Sequence, residues 1–393
     1  MSCINIKSRA LALLAIAALA TGQHAVAQEN LQRGMTTSQV EKKFTTVKEF
    51  PITSIKNQYR SGTCWAFGTL GFLESEILRQ RGKTYNLCEM FVVNKGYMDN
   101  ATHYVRMHGF SQISEGGSCD DVLEVIRKYG ICPEEAMPAP GSLTGDSLAN
   151  FTVFFPELEA EVRHAIVSDD SIAADVAAAQ KVATTIGASP RPHWQESVQA
   201  VIDKYVGSCP ETFVYEGKTY TPKSFAESLG LNLDDYVSLT SYMHHPFNEW
   251  FVIEAPYKWR LKPSYNIPIE QLMNVIDAAL DAGYTVAWGG DVSGSFTAYG
   301  TADLPDGMQP NQQLRQEQWD NWTFTYDHVM LIYGKAIDAQ GKPYYKVKNS
   351  WGKYGPYDGI WYMSRDYMVL NTTYIFLNRH ALPKKLRKAL SRK

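Results

Sequence analysis

Cys64 stands in the stretch NQYRSGTCWAF, residues 57–67, behind three small residues and ahead of an aromatic one. A thiol can be a small core hydrophobe, half of a disulfide or a nucleophile, and its local setting separates these. From Cys64 to Arg81 the pattern is helical: Ala66, Leu70, Leu73 and Ile77 recur at spacings of 4, 3 and 4. Glu74, Arg79 and Gln80 face elsewhere, and Gly82 stops the run. Ser61, Gly62 and Thr63 do not readily extend that helix backwards, so Cys64 falls in its first turn. A helix N-terminus carries partial positive charge, which favours a thiolate and lowers the cysteine pKa. Buried structural cysteines also occur at helix starts, so this position alone leaves both readings open.

A thiolate nucleophile needs a proton-accepting partner, and that partner needs an orienter. Among nine histidines, His103, His108, His164 and His193 sit in polar or helical segments, and His244-His245 precede Pro246 as turn residues. His328 differs, because it begins HVMLIYGKAID, a β-rich run that turns at DAQGK into YYKVKNSWG. In the second run Tyr345, Val347 and Asn349 share one face, and Lys346 and Lys348 the other. Two adjacent antiparallel strands can then present His328 and Asn349 on one buried side. An Asn amide oxygen accepts the imidazole N–H and holds the ring without adding a charge.

NQYRSGTCWAF, YDHVMLIYG and VKNSWG resemble, in that order, the three active-site blocks of the papain-like cysteine peptidases. The resemblance implies Cys64 as nucleophile, His328 as general acid/base and Asn349 as orienter. It also implies that Gln58, six residues before the cysteine, donates its side-chain N–H₂ to the oxyanion beside the Cys64 backbone N–H. Trp351 would cover the Asn–His hydrogen bond, and Gly116-Gly117 resembles the glycine pair that meets extended substrate; a plain turn before a capped helix is the other reading of that pair. Two departures point to a branch. Ser61 stands where papain and the cathepsins have a disulfide-bonded cysteine. The spacing from Cys64 to His328 is 264 residues, against roughly 130–150 in those enzymes. Both features, with YTVAWGGDVS ahead of the histidine, resemble the bleomycin hydrolase and aminopeptidase C branch, in a secreted bacterial form.

The elements that position these residues come from a chain of 393 residues. Residues 1–27 read as a signal peptide: Lys7 and Arg9, an apolar run from Ala10 to Ala20, then Ala25-Val26-Ala27 as cleavage site. That run is too short to span a bilayer, and no later one approaches the length. Export to the periplasm or beyond follows, with cleavage near Ala27. Of six cysteines, Cys64, Cys88, Cys119, Cys132 and Cys209 remain after cleavage, an odd number. Cys119 and Cys132 bound CDDVLEVIRKYGIC, which reads as a helix capped by Ser118 and Asp121 and ended by Gly130. A helix separates its ends too far for a disulfide.

Charge is uneven. Setting aside the two cations of the signal and six in the last ten residues, 38 basic residues fall to 30 against 41 acidic, a net of −11. No basic face for nucleic acid is expected from such a body. HExxH is absent, the His and Cys spacings are not those of a zinc site, and no metal or organic cofactor is implied.

The fold class expected is α+β, a papain-like pair of lobes, one helical and one antiparallel and β-barrel-like, with a large helical insertion. The divisions are residues 28–57 as N-terminal segment, 58–139 as helical lobe, 140–265 as inserted subdomain, 266–383 as sheet lobe and 384–393 as basic tail. FVYEGKTY is a hairpin, Thr221-Pro222 starts a helix, and another runs from Ile269 to Asp281. The function expected is a cysteine exopeptidase acting on oligopeptides. An endopeptidase, a retired peptide-binding relative and an acyl-transferring enzyme are the alternatives. The resemblance also suggests a ring of identical subunits.

Overall fold

The computed structural model of the chain describes residues 42–137, 149–166, 193–293, 297–298 and 300–390. The expected signal peptide lies outside these residues.

Ten helices and thirteen strands are described. The helices are α1 (Cys64–Arg81), α2 (Glu89–Arg106), α3 (Cys119–Tyr129), α4 (Phe154–Ile166), α5 (Trp194–Val206), α6 (Pro222–Leu229), α7 (Ile269–Asp281), α8 (Gln312–Asp320), α9 (Arg365–Asn371) and α10 (Lys384–Leu390). The strands are β1 (Phe44–Glu49), β2 (Phe213–Tyr215), β3 (Lys218–Tyr220), β4 (Tyr236–Thr240), β5 (Trp250–Phe251), β6 (Ser264–Asn266) and β7 (Val286–Gly290). They continue with β8 (Thr297–Ala298), β9 (Thr301–Ala302), β10 (His328–Asp338), β11 (Pro343–Lys348), β12 (Ile360–Ser364) and β13 (Thr372–Asn378).

Local signals act where the sequence places them. Helix α1 ends at Gly82, whose φ of 64° is the left-handed conformation that glycine adopts without strain. Ser118 and Asp121 form a capping box on α3, and Thr221 caps α6 with Pro222 at its first position. The β2–β3 hairpin turns through Glu216 and Gly217, both at positive φ, as its two-residue loop requires.

The main sheet has eleven strands in the order β5-β6-β4-β13-β7-β10-β11-β12-β9-β8, with β1 added to β10. Among the described residues it is mostly antiparallel and does not close into a barrel: β4 pairs β6 in parallel, β12 pairs β9 in parallel, and β5 and β8 are its ends. Strand β10 is the hinge of the arrangement. Residues 328–332 pair with β7, and residues 334–338 with β1. Gly334 sits at the changeover, where a Cβ would lie 2.6 Å from the Lys48 carbonyl oxygen.

Alternation along β10 assigns its side chains to two cores. Val329, Leu331 and Tyr333 pack with α1 to α6, while Met330 and Ile332 pack with α7 and α9 on the other face. The helices expected to form a separate insertion share the first of these cores: Phe154, Val198, Ile202 and Phe225 belong to the same cluster as Trp65 and Leu70. Strands β4, β5 and β6, which the division at residue 265 assigned to the insertion, belong to the main sheet. The pairing of β4 with β13, through which they join it, is nonlocal and leaves no periodic trace in the sequence.

Two further differences concern burial. Glu74 is fully buried, since α1 is covered on every side through Ile77. The basic tail begins as helix α10, docked by buried Leu386 and Leu390 in the second core, with Ala389 exposed. No described helix is long and apolar enough to cross a membrane.

Candidate active site

The structure brings Gln58, Cys64, His328, Asn349 and Trp351 together where the start of α1 meets β10 and the end of β11. A glycine of α1 allows the approach. A Cβ on Gly68 would lie 2.7 Å from Val329 Cγ1 and 2.8 Å from its carbonyl oxygen, so the strand packs directly on helix backbone. One turn earlier on that face, Cys64 has its Sγ 3.8 Å from the Asp327 carbonyl oxygen and receives the Val329 backbone N–H.

His328 opens β10 opposite Gly290, and its Nε2 donates to Asn349 Oδ1 at 2.8 Å. The partner is an amide oxygen, so the bond fixes Nε2 as the protonated nitrogen and turns Nδ1 the other way. Trp351 lies against the imidazole, with ring centroids 4.7 Å apart. Asn349 is held in turn by register, because β10 and β11 pair with Leu331 opposite Lys348.

The loop before Cys64 is tied by hydrogen bonds. Gln58 is buried; its backbone N–H donates to Ser350 O at 2.8 Å, and its Oε1 accepts from Ser350 Oγ at 2.6 Å. One N–H of its amide goes to Ser61 O at 2.7 Å, leaving the second for another acceptor. Ser61 donates to Gln58 O and contacts Thr63 Oγ1, each at 2.6 Å. At this position the loop is closed by hydroxyl bonds, and all five described cysteines are free thiols.

Electrostatics departs from the helix-terminus argument. Cys64 is only 7% exposed, and burial pushes its thiol up to about 12. The Val329 and Trp65 N–H groups oppose that shift, and the Asp327 carboxyl adds to it. Burial therefore outweighs the partial charge of the helix, and a thiolate here requires a cation beside it.

Several residues escaped the sequence reading. Asp291 and Asp327 form a buried acid pair between β7 and β10. Asp327 Oδ1 accepts Val292 N–H at 2.9 Å, and Asp291 Oδ2 accepts Thr325 N–H at 2.8 Å. Both carboxyls are raised, Asp327 strongly, by burial and then by its neighbour Asp291. Together they staple the segment that delivers His328. The signal was present as Asp immediately before His328, yet its partner lies 36 residues away.

The glycine pair divides. Gly117 is a packing glycine: a Cβ there would lie 2.7 Å from the Trp65 ring, and its carbonyl accepts Tyr326 Oη–H at 2.6 Å. Gly116 lies under Tyr257, whose ring would be 2.5 Å from a Cβ. Tyr257 comes from a stretch rich in aromatic residues, 242–259. Glu115, just before the pair, accepts the Gly62 N–H at 2.5 Å, and burial raises its carboxyl to about 7.

Away from the site, His244, His245 and Glu254 bring their ligand atoms within 4.8 Å of one another, the one such group among the described residues. Gln316 Oε1 accepts Met243 N–H at 2.6 Å, so its amide nitrogen faces His244 Nδ1 at 2.9 Å. Nδ1 is then the acceptor, and Nε2 spends its proton on Glu254 at 3.1 Å. A metal at Nε2 would have to displace that proton, and the trio reads as a hydrogen-bonded staple of the turn before Pro246.

A thiol at a helix start, packed against the strand that carries an imidazole–carboxamide pair, on a helical layer set against that sheet, has the architecture of the papain-like fold. Residues 92–393 match the Peptidase C1-like family, and the chain belongs to it. The match contains His328 and Asn349; Gln58 and Cys64 precede it. The chain is 22% identical over 373 residues to an aminopeptidase C of Streptococcus thermophilus, covering 84% of this chain and 82% of that one. It is 22% identical over 383 residues to an aminopeptidase W of Lactobacillus delbrueckii subsp. lactis, with 85% and 83% covered. The crystal structure of PepW from Lactobacillus rhamnosis HN001 superposes with a TM-score of 0.67 at 19% identity, over 99% of this chain and 95% of that one.

Proposed function

We propose that this chain is a cysteine exopeptidase that shortens oligopeptides from their amino end, through a thioester on Cys64. The observation that carries the reading is the bond from His328 Nε2 to Asn349 Oδ1, beside a thiol at the first turn of α1. It leaves Nδ1 to take the thiol proton, and the resulting imidazolium supplies the cation that burial of Cys64 demands. The thiolate attacks the peptide carbonyl carbon, and the free N–H of Gln58 with the Cys64 backbone N–H receives the oxyanion. Imidazolium then gives its proton to the leaving amine as the C–N bond breaks. Neutral His328 next takes a proton from water, whose oxygen attacks the thioester and releases Cys64 and the acid.

Tyr257, seated on Gly116, supports an exopeptidase over an endopeptidase, because it stands where an extended chain would continue past the glycine pair. The names carried by the aminopeptidase relatives support the same reading. Digestion of a free-amine peptide library, read by fragment masses, tests it: sequential loss from the amino end is expected, and internal cuts would make the chain an endopeptidase. The N-terminal pattern supports export with cleavage near Ala27, which Edman sequencing of the mature protein checks. A homo-oligomeric ring rests on family resemblance and is tested by light scattering.

A further inference from the structure

Glu115 is an acid with no evident structural employment. Among the described residues it forms no ion pair, and its one side-chain bond is the acceptance of Gly62 N–H by Oε2 at 2.5 Å. Its position is nevertheless tightly built. Trp65 Nε1 and Tyr97 Oη both donate to the Glu115 carbonyl oxygen, at 3.0 and 3.1 Å. Gly62 has no room for a side chain, since a Cβ would lie 2.7 Å from Glu115 Cβ. A half-buried carboxylate held this firmly without a cation is costly, because burial disfavours the charged form.

The surroundings are those of the attacked bond. Gly62 is two residues before Cys64, and Glu115 directly precedes Gly116. The phenols of Tyr97 and Tyr257 each lie within electrostatic reach of both Cys64 and Glu115. In a peptide cut after its first residue, the α-nitrogen is about 2.5 Å from the attacked carbonyl carbon, and one further residue adds roughly 3.5 Å. An anchor for that nitrogen must stand close to the sulfur, and the Gly62–Glu115 bond is made two positions before Cys64 in the chain.

We propose that Glu115 binds a positively charged group of the substrate beside the scissile bond, and that this group is the peptide's α-ammonium. The ammonium donates to the Glu115 carboxylate while Gly62 N–H keeps the carboxylate oriented. This deepens the exopeptidase reading and rests on it, and the geometry limits the ligand to a cation within a residue or two of the attacked carbonyl. A lysine or arginine side chain of the residue bound there carries the same chemistry, and the test separates the two sources.

The experiment compares hydrolysis of matched peptides with a free or acetylated amino end, each with lysine or norleucine as first residue. It uses the full chain and its Glu115→Gln and Glu115→Asp variants. Binding of the same peptides to Cys64→Ser and Cys64→Ser/Glu115→Gln, followed calorimetrically, gives a readout that needs no turnover. Loss of one charge-assisted bond corresponds to roughly a ten- to hundredfold change. Glu115→Gln is expected to lower kcat/KM and affinity for free-amine peptides by that factor, with acetylated norleucine peptides unchanged. Loss confined to lysine peptides, whatever their amino end, would keep Glu115 as a cation site but overturn the α-ammonium assignment. An unchanged ratio overturns the proposal. If Glu115→Gln no longer reacts with iodoacetamide at Cys64, Glu115→Asp decides: loss of free-amine preference with the carboxylate retained also overturns it. Selective binding without turnover would count against the peptidase reading and leave the cation site standing.

Discussion

Two polar layers cross the boundary between α1 and the strands β10 and β11, on opposite sides of the same strand end. Asn349 belongs to one and Lys348 to the other. The catalytic layer is sparse: one thiol, one imidazole and one carboxamide, joined by a single 2.8 Å bond between the last two. The second layer is dense and charged. Glu74 accepts Thr53 Oγ1–H at 2.5 Å and Leu87 N–H at 2.8 Å, and Lys348 Nζ donates to Thr53 Oγ1 at 2.8 Å. Lys56 bridges Glu89 at 2.7 Å, Glu134 at 3.2 Å and Glu74 at 3.7 Å. Burial pulls Lys348 down and lifts Glu89 to about 7, with Lys56 pulling Glu89 back. The difference is one of task. The dense layer satisfies buried charge many times over and fixes helix to sheet. The sparse layer is left with an unmet demand, a buried thiol lacking a stable cation, and that demand is what the imidazole answers.

The largest effects should come from the sparse layer. Cys64→Ser and His328→Ala are each expected to reduce peptide turnover to background while leaving the urea midpoint nearly unchanged. A residual rate in either, measured against an uncatalysed control, would break the assignment. Glu74→Ala should do the reverse. It strips partners from Thr53, Leu87 N–H and Lys56 at once, a loss of roughly 3–5 kcal/mol in stability. Rate per titrated Cys64 should stay within a few-fold, and an equal loss in rate would mean that the two layers are one.

Asn349→Ala is expected to leave a measurable remnant, because Trp351 and the β10–β7 pairing still hold the imidazole. A reduction of roughly a hundredfold in kcat fits the lower range for impaired acid–base catalysis. The thiol itself can be titrated by its ultraviolet absorbance. Burial disfavours the charged thiolate, so removing the imidazole that would pair with it should move the titration of Cys64 further upward in His328→Ala. Appearance near the ordinary ~8.5 would mean that the site opens to water. The smallest effect on specificity is expected from truncation after Pro383. It removes Leu386 and Leu390 from the second core and lowers the melting point. The ratio of free-amine to acetylated peptide hydrolysis should not move, and a change would make the tail part of the recognition site.

What the sequence determined by itself is local. Helix α1 from Cys64 to Arg81, the capped starts of α3 and α6, the β2–β3 hairpin and the alternation of β11 follow from spacing, caps and turn residues within a few positions of one another. The three motif blocks were equally legible, since each carries its reactive side chain inside a short recognisable stretch. Tertiary structure alone decided whatever depended on distant segments meeting. It drew β4 to β6 into the main sheet, closed α1 around Glu74, set Asp291 against Asp327 and laid Tyr257 on Gly116. It also reversed the expected direction of the Cys64 thiol. A helix terminus can be read from neighbours in the chain, but desolvation depends on everything that packs around the sulfur, and here β10 and the segment before it supply that cover.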